Sequence, residues 1–199
     1  MSELVTNKIT PSTGSSDTVT LGDSGDTFTI PSGVTMTNRG TANGCGGGKV
    51  LQVVSYTKTS VFTSSSHSWV DTGLEIAITP ASGTKCLVIV NFNYDVGASC
   101  YAAARLARDS TAIAIGDADG ARPQVSVNCG LSDWVNSTHE AGITHLDTHG
   151  ADGSTAVTYK LQYNSLDSCA FKMNQSVGDP NSNAGTRPVS NITVMEIGA

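Results

Sequence analysis

The chain has 199 residues, a length that fits one ordinary domain with an appendage. Only 14% of the residues are charged, which argues against a solvated disordered chain, and frequent Thr and Val argue against a helical one. The net charge is −6, whereas nucleic-acid-binding domains are usually basic. No run approaches the roughly 20 apolar residues of a membrane span. The N-terminal sequence has no apolar signal core, so we expect assembly in a cytoplasm without membrane insertion.

Residues 18–44 alternate short apolar pairs with threonines and turn residues. Each pair is spaced by two residues, which is the period of a strand and not of a helix. Two such short strands are marginal in water, so we expect sister chains to complete them in an intertwined trimeric β shaft. The pairs are Val19 and Leu21, Phe28 and Ile30, and Val34 and Met36.

The N-terminal region is predicted to end at a glycine-rich joint, residues 41–48. Residues 1–17 are polar and are interpreted as an attachment end for other proteins. We therefore divide the chain into an anchor and shaft, residues 1–48, and a head domain, residues 49–199.

The head domain contains many short segments in which apolar and polar residues alternate, separated by turn residues. This pattern predicts an all-β fold, an antiparallel β-sandwich of the jelly-roll kind. The alanine-rich segment near residue 103 favours helix, but both of its neighbours are strand-like, so it is also assigned as strand. The predicted strands are Val50–Lys58, Trp69–Asp71, Leu74–Thr79, Lys85–Val96, Ala102–Ala107, Ala112–Gly116, Gln124–Asn128, Ala141–Leu146, Ala156–Tyr163, Ala170–Asn174 and Asn191–Ile197.

The five cysteines form no metal-binding pattern, because no CxxC pair occurs and no histidine lies at finger spacing. Cys86, Cys129 and Cys169 share strand parity with neighbouring apolar residues. They are predicted to be small core hydrophobes, and a disulfide between two cysteines is the less favoured alternative. Cys45 and Cys100 carry no such assignment.

The best candidates for receptor binding are one tryptophan and three histidines in a polar stretch: Trp134, His139, His145 and His149. A solvated loop is the alternative, and histidines grouped around a three-fold axis would sense pH or take up metal. The spacing of His145 and His149 gives no shared helix face, so we predict no metal site. The other tryptophan, Trp69, is expected in the core.

Catalytic chemistry is not favoured. No G-x-S-x-G nucleophile elbow occurs, and no cofactor motif is seen. Paired carboxylates for glycan cleavage would have to come from a scattered acidic set: Asp133, Glu140, Asp147 and Asp152. Residues 117–120 resemble the start of a calcium loop but lack its later glutamate, so we predict a turn and no metal.

Arg105 and Arg108 have opposite strand parity, so we expect their side chains on different faces. The alternatives for them are a surface charge of about 0–1 kcal/mol or a pair with an acid of a neighbouring subunit.

Two groups of segments carry a resemblance to a known family. NKITPSTG followed by DTVTLGDSGDTFTIPSGVTMTNRGTANG resembles the N-terminal shaft of tail-fibre-like structural proteins of tailed bacteriophages. GKVLQVV, RLARDSTAIAIGDADGAR and ITVMEIGA resemble the β domain attached to such shafts. The resemblance implies a homotrimeric virion protein that binds a surface or decorates the particle. We predict that it is non-enzymatic and attaches to a host surface glycan or protein through head loops. A capsid decoration, cement or head-fibre protein docked through its N-terminal segment is the alternative, and a short glycan depolymerase is less favoured.

Overall fold

A computed structural model of the chain describes residues 49–130, 137–167 and 169–198. Within these ranges the regular structure is entirely β. The strands are β1 (Val50–Lys58), β2 (Phe62–Ser64), β3 (Val70–Ile78), β4 (Lys85–Val96), β5 (Tyr101–Arg108), β6 (Thr111–Ile113), β7 (Val127–Gly130), β8 (His139–Asp147), β9 (Val157–Ser165), β10 (Phe171–Met173) and β11 (Ser190–Ile197). The predicted shaft, its six apolar residues and the boundary at residue 48 lie outside the described residues and stay predictions.

The strands form two antiparallel sheets. In sheet I, β1 pairs with β11, β11 with β4, and β4 with β8. The short strand β10 pairs with the end of β4, beyond the part of β4 that pairs with β11, and β2 pairs with β10. Strands β10 and β2 therefore continue the lines of β11 and β1. In sheet II the order is β3, β9, β5, and both β6 and β7 lie beyond β5. The predicted antiparallel β-sandwich is therefore confirmed.

The core fills the space between the sheets. Alternate residues of β4, β5, β9 and β11 point into it, as the two-residue period of a strand requires. Phe171 stacks between Tyr163 and Tyr94, with ring centroids 4.3 and 5.8 Å apart. Each such fully buried apolar side chain stabilises the fold by about 1.5–3 kcal/mol.

The alanine-rich segment is a strand, as predicted. Ala102, Ala104 and Leu106 are fully buried, and β5 pairs with β9 along seven consecutive partners. Strand β5 lies inside the sheet, with β9 on one side and β6 and β7 on the other. Small side chains occupy most of its inward positions. The local helix preference of alanine is weak compared with this tertiary pairing.

The predicted breaks between strands were partly wrong. Trp69–Asp71 and Leu74–Thr79 are predicted as separate strands, but β3 runs through both. Gly73 lies between them with φ of +74°, and the register with β9 shifts there. A residue with positive φ produces a bulge that continues the strand instead of ending it. Strand β2 was missed, because three residues are too few to show a period.

Cys86 and Cys129 are fully buried, which confirms the prediction for these two thiols. The prediction for Cys169 was wrong, because it forms a disulfide with Cys100 across a Cα–Cα distance of 5.8 Å. Strand parity was a sound guide to the side on which Cys169 lies, since it packs against the core. It gives no information on a partner 69 residues away in the sequence.

Candidate functional site

The outer face of sheet II is polar and ordered by hydrogen bonds. Asp71, Gln162 and Arg105 are successive partners across β3, β9 and β5. The Gln162 amide donates to the Asp71 carboxylate (2.7 Å), and Arg105 Nε donates to Gln162 Oε1 (2.9 Å). Lys160 Nζ lies 2.8 Å from the same carboxylate. The face therefore presents a fixed array of planar donors and acceptors.

Trp69 completes this array, and its predicted place in the core was wrong. The residue precedes β3 and is only partly buried. The guanidinium carbon of Arg105 lies 4.1 Å from the centroid of its ring, in cation–π geometry. Arg105 is the neighbour that holds the indole on the outer face, so an aromatic side chain remains partly accessible to solvent there.

An apolar cleft adjoins the array. Ala103 lies two residues from Arg105 on the same face of β5, and it forms part of the cleft floor. The cleft has a volume of about 400 Å³, and two of its walls are well exposed: Tyr101 at 51% and Leu166 at 40%. The other lining residues are Arg122, Pro123, Val125 and Asn128.

Local hydrogen bonds fix the walls of the cleft. The Tyr101 N–H donates to the Asp167 carboxylate (2.9 Å), and the Leu166 N–H donates to the Tyr101 carbonyl (2.9 Å). On the opposite side, Gln124 Nε2 donates to the Gly116 carbonyl (2.7 Å). An accessible aromatic ring in a pre-formed cleft is suited to stack on a sugar face or to hold an apolar side chain.

The segment 117–120 lies in the loop between β6 and β7 and leads into a turn. Gly120 has φ of +59°, and the Arg122 N–H donates to the Asp119 carbonyl (3.2 Å). The Asp119 carboxylate pairs with Arg122 at 2.7 Å, and both side chains are exposed. The carboxylate that resembled a calcium ligand thus has an arginine partner, and the predicted turn is confirmed only in part, because it spans residues 119–122.

The structure does not gather the three predicted recognition histidines into one cluster. His139 and His145 both lie on β8 and face the inside of the sandwich. They are about 20 Å apart, because six residues of a strand rise about 3.4 Å each. His149 follows β8 and is buried, and Trp134 lies outside the described residues. Sheet I therefore carries His139 and His145, whereas the aromatic array and cleft lie on sheet II.

His149 belongs to a buried polar network. Its Nδ1 accepts the Ala151 N–H (2.9 Å), and its Nε2 lies 3.2 Å from the Thr84 hydroxyl. That hydroxyl is 2.9 Å from Glu196, whose carboxylate also accepts from Gln52 (2.7 Å) and the Ala81 N–H (2.8 Å). Burial by itself raises the pKa of Glu196, but these hydrogen bonds outweigh it and hold the pKa below its usual range.

Three residues of the predicted acidic set lie in the described ranges, each in a different environment, and Asp133 lies outside those ranges. Asp147 is buried and accepts both Arg108 Nη1 (2.9 Å) and the Tyr159 hydroxyl (2.7 Å). Burial, followed by this hydrogen bond, raises the pKa of Tyr159 above its usual range. Glu140 is exposed on the other face of β8. The Asp152 side chain caps its own turn, where the backbone N–H groups of residues 154 and 155 lower its pKa to about 2.

The two arginines of β5 lie on opposite faces, as predicted. Arg105 is on the outer face with Trp69, and Arg108 points inward to Asp147. The expectation that Arg108 is a surface charge or pairs between subunits was wrong, because its partner belongs to its own chain.

Sequence reasoning also missed Tyr101, for which the usable signal was its outward parity with Arg105 on the same strand.

The fold and these surfaces define an antiparallel β-sandwich with one polar, aromatic outer face. No protein-family model matches the chain, and no curated protein matches it. A solved structure titled "Structure of infectious bursal disease virus Gx strain" is similar with a TM-score of 0.36 and 11% sequence identity. The match covers 74% of this chain and 39% of that one. In the described ranges no helix has the length and hydropathy to cross a membrane.

Proposed function

We propose that the protein is a non-enzymatic structural protein of a tailed-bacteriophage virion, resembling a tail fibre, that attaches to the host surface as a homotrimer. The outer face of sheet II is the attachment surface, and the ligand is a surface glycan or protein. Residues 1–48 join the three chains and connect them to other virion proteins. The resemblance of these residues and of three head segments to tail-fibre-like proteins supports the family.

The observation that carries the attachment role is the accessible aromatic pair on one face. Trp69 lies against Arg105, and Tyr101 lies four residues before Arg105 on the same face of β5. Hydrogen bonds from Arg105 to Gln162 and from the Tyr101 N–H to Asp167 hold the groups around both rings. A surface that is ordered before binding loses little conformational entropy when a ligand arrives. Three copies of a weak site on one trimer would give firm adhesion by multivalency.

The strand order supports a jelly-roll classification for the head. The chain alternates between the sheets from β2 through β5, and again from β7 through β10. In sheet I, the first and last strands of the described sequence, β1 and β11, are neighbours. Such interleaving is characteristic of two nested Greek keys, an architecture found in viral coat proteins and lectins.

Binding of the purified protein to host cells tests the attachment surface. Tyr101→Ala removes the exposed ring but keeps the backbone N–H that bonds Asp167. We expect affinity to fall at least tenfold, because an aromatic anchor contributes more than about 1–2 kcal/mol. Tyr56→Ala is the matched control, since Tyr56 lies on sheet I and is 40% exposed. Equal affinities for the two variants would contradict the assignment.

The position of the protein on the particle tests the virion role. Labelled antibody at the tail tip is expected for an attachment protein. An even coat over the head would instead identify a capsid decoration protein that uses the same trimer. New reducing ends released from host polysaccharide by the pure protein would contradict the non-enzymatic assignment.

A further inference from the structure

The outer face of sheet I carries a row of apolar side chains that crosses the four neighbouring strands β1, β11, β4 and β8. Val53, Met195, Leu87 and Leu146 are successive partners in β1, β11, β4 and β8. Val53 is 53% exposed and Leu146 is 49% exposed, although both lie in regular strands. We call this set the apolar row. A contiguous exposed patch of this kind on a soluble protein marks an interaction surface.

The local sequence has the pattern of a strand that is covered on both sides. Residues 86–90 of β4 read Cys-Leu-Val-Ile-Val without a polar residue, whereas a strand with one wet face alternates. The even members of this run are fully buried in the core. Leu87 and Ile89 are the odd members, and they point to the outer face. The corresponding face of β9 in sheet II carries only polar residues, including Lys160 and Gln162.

Charge indicates what kind of partner fits. The row beside the apolar row consists of Ser55, Thr193, Ile89 and Thr144, so neither row contains a charged residue. The protein as a whole has a net charge of −6. Like charges placed opposite each other in an interface are costly, and an uncharged surface avoids that cost. A second copy of this chain can therefore pack on these rows without placing like charges in the contact.

The segment that precedes the head ends at a corner of sheet I. The head begins at Lys49, directly before β1, and the Lys49 carbonyl accepts the Gly198 N–H (2.8 Å). Leu51, at this corner, is 49% exposed. A trimer joined through residues 1–48, as in the proposed function, is therefore connected to each head through a strand of sheet I.

We propose that the outer face of sheet I packs against a second copy of the same chain, with the apolar row at the centre of the contact. This inference rests on the trimer of the proposed function and adds the surface that the head contributes to it. The attachment surface on sheet II is on the opposite side of the sandwich, so it stays open to a ligand.

Carbene footprinting of the full-length protein tests this contact. Val53 and Leu146 are expected to be labelled at least fivefold less than Val61, which is 45% exposed and lies outside the strands. Equal labelling, in a sample whose light-scattering mass is three times that of the chain, would overturn the interface and leave the trimer standing. A monomeric mass would refute both.

The identity of the covering chain is tested by mixing unlabelled and ¹⁵N-labelled protein. Lys85 lies on the same face, opposite Ile197, and offers an amine to a cross-linker. Mixed-isotope cross-links from Lys85 to head residues support the proposal. Cross-links only to residues 1–48 of the same isotope would overturn it, because the N-terminal segment would then be the cover.

A substitution provides an independent readout. Val53→Glu is expected to fold, since the side chain is half exposed in the subunit, and to raise labelling of Leu146 severalfold. Val61→Glu is the matched control and is expected to leave it unchanged. If Val53→Glu also leaves Leu146 labelling unchanged, the row is not an interface.

Discussion

A buried ion pair joins the two sheets at one end of the sandwich. Arg108 on β5 places Nη1 2.9 Å from both carboxylate oxygens of Asp147 on β8. The Asp147 side chain is 6% exposed and that of Arg108 is 23% exposed. Tyr159 donates a further hydrogen bond of 2.7 Å to the carboxylate. Removing the arginine would leave a buried carboxylate that keeps the Tyr159 hydrogen bond and has His145 Nε2 at 3.9 Å.

We expect Arg108→Ala to lower the free energy of unfolding by about 2–4 kcal/mol. Removal of one partner from a fully buried pair costs about 3–5 kcal/mol, and the partial exposure of Arg108 lets water replace some of its hydrogen bonds. The double variant Arg108→Met/Asp147→Leu should recover most of the loss, since it leaves no unpaired charge.

Urea denaturation at one fixed protein concentration measures these changes, because the apparent stability of an oligomer depends on concentration. Arg122→Ala is the control: it removes an arginine whose ion pair with Asp119 is exposed at 75% and 73%. Its loss should stay below about 1 kcal/mol. If Arg108→Ala costs no more than Arg122→Ala, the pair does not hold the sheets together and the reasoning is refuted.

Three further outcomes concern other buried groups. Glu196→Gln should cost about 1–3 kcal/mol at neutral pH. The folded pKa of Glu196 is below its usual 4.5, so its stabilisation is complete above pH 4.5 and is lost as pH falls through the folded value; melting curves of both proteins should converge in acid. Cys100→Ser should cost about 2–4 kcal/mol in urea without reductant, and unchanged stability would argue against the bond to Cys169. Burial raises the pKa of Cys129 to about 12, so mass spectrometry should find maleimide on this thiol only after unfolding.

The candidate site was only partly accessible from sequence. The sequence predicts receptor binding around Trp134 and the histidines; Trp134 lies outside the described residues, so that site stays a prediction. The structure adds an aromatic array on sheet II, around Trp69 and Tyr101. The outward parity of Tyr101 with Arg105 on β5 can be read from the sequence. The sequence does not show that β3 and β5 lie on either side of β9, which brings the two aromatic residues to one face.

The alternation of apolar and polar residues determined the strands and the face on which each side chain lies. Long strands such as β9, and the burial of Cys129 in line with Val125 and Val127, follow from it. Alternation has a period of two and carries no record of which strand lies alongside. Only the tertiary structure decided the partners, because the order of strands in a sheet depends on how the whole chain packs. The Arg108–Asp147 pair and the disulfide of Cys169 are contacts of that kind.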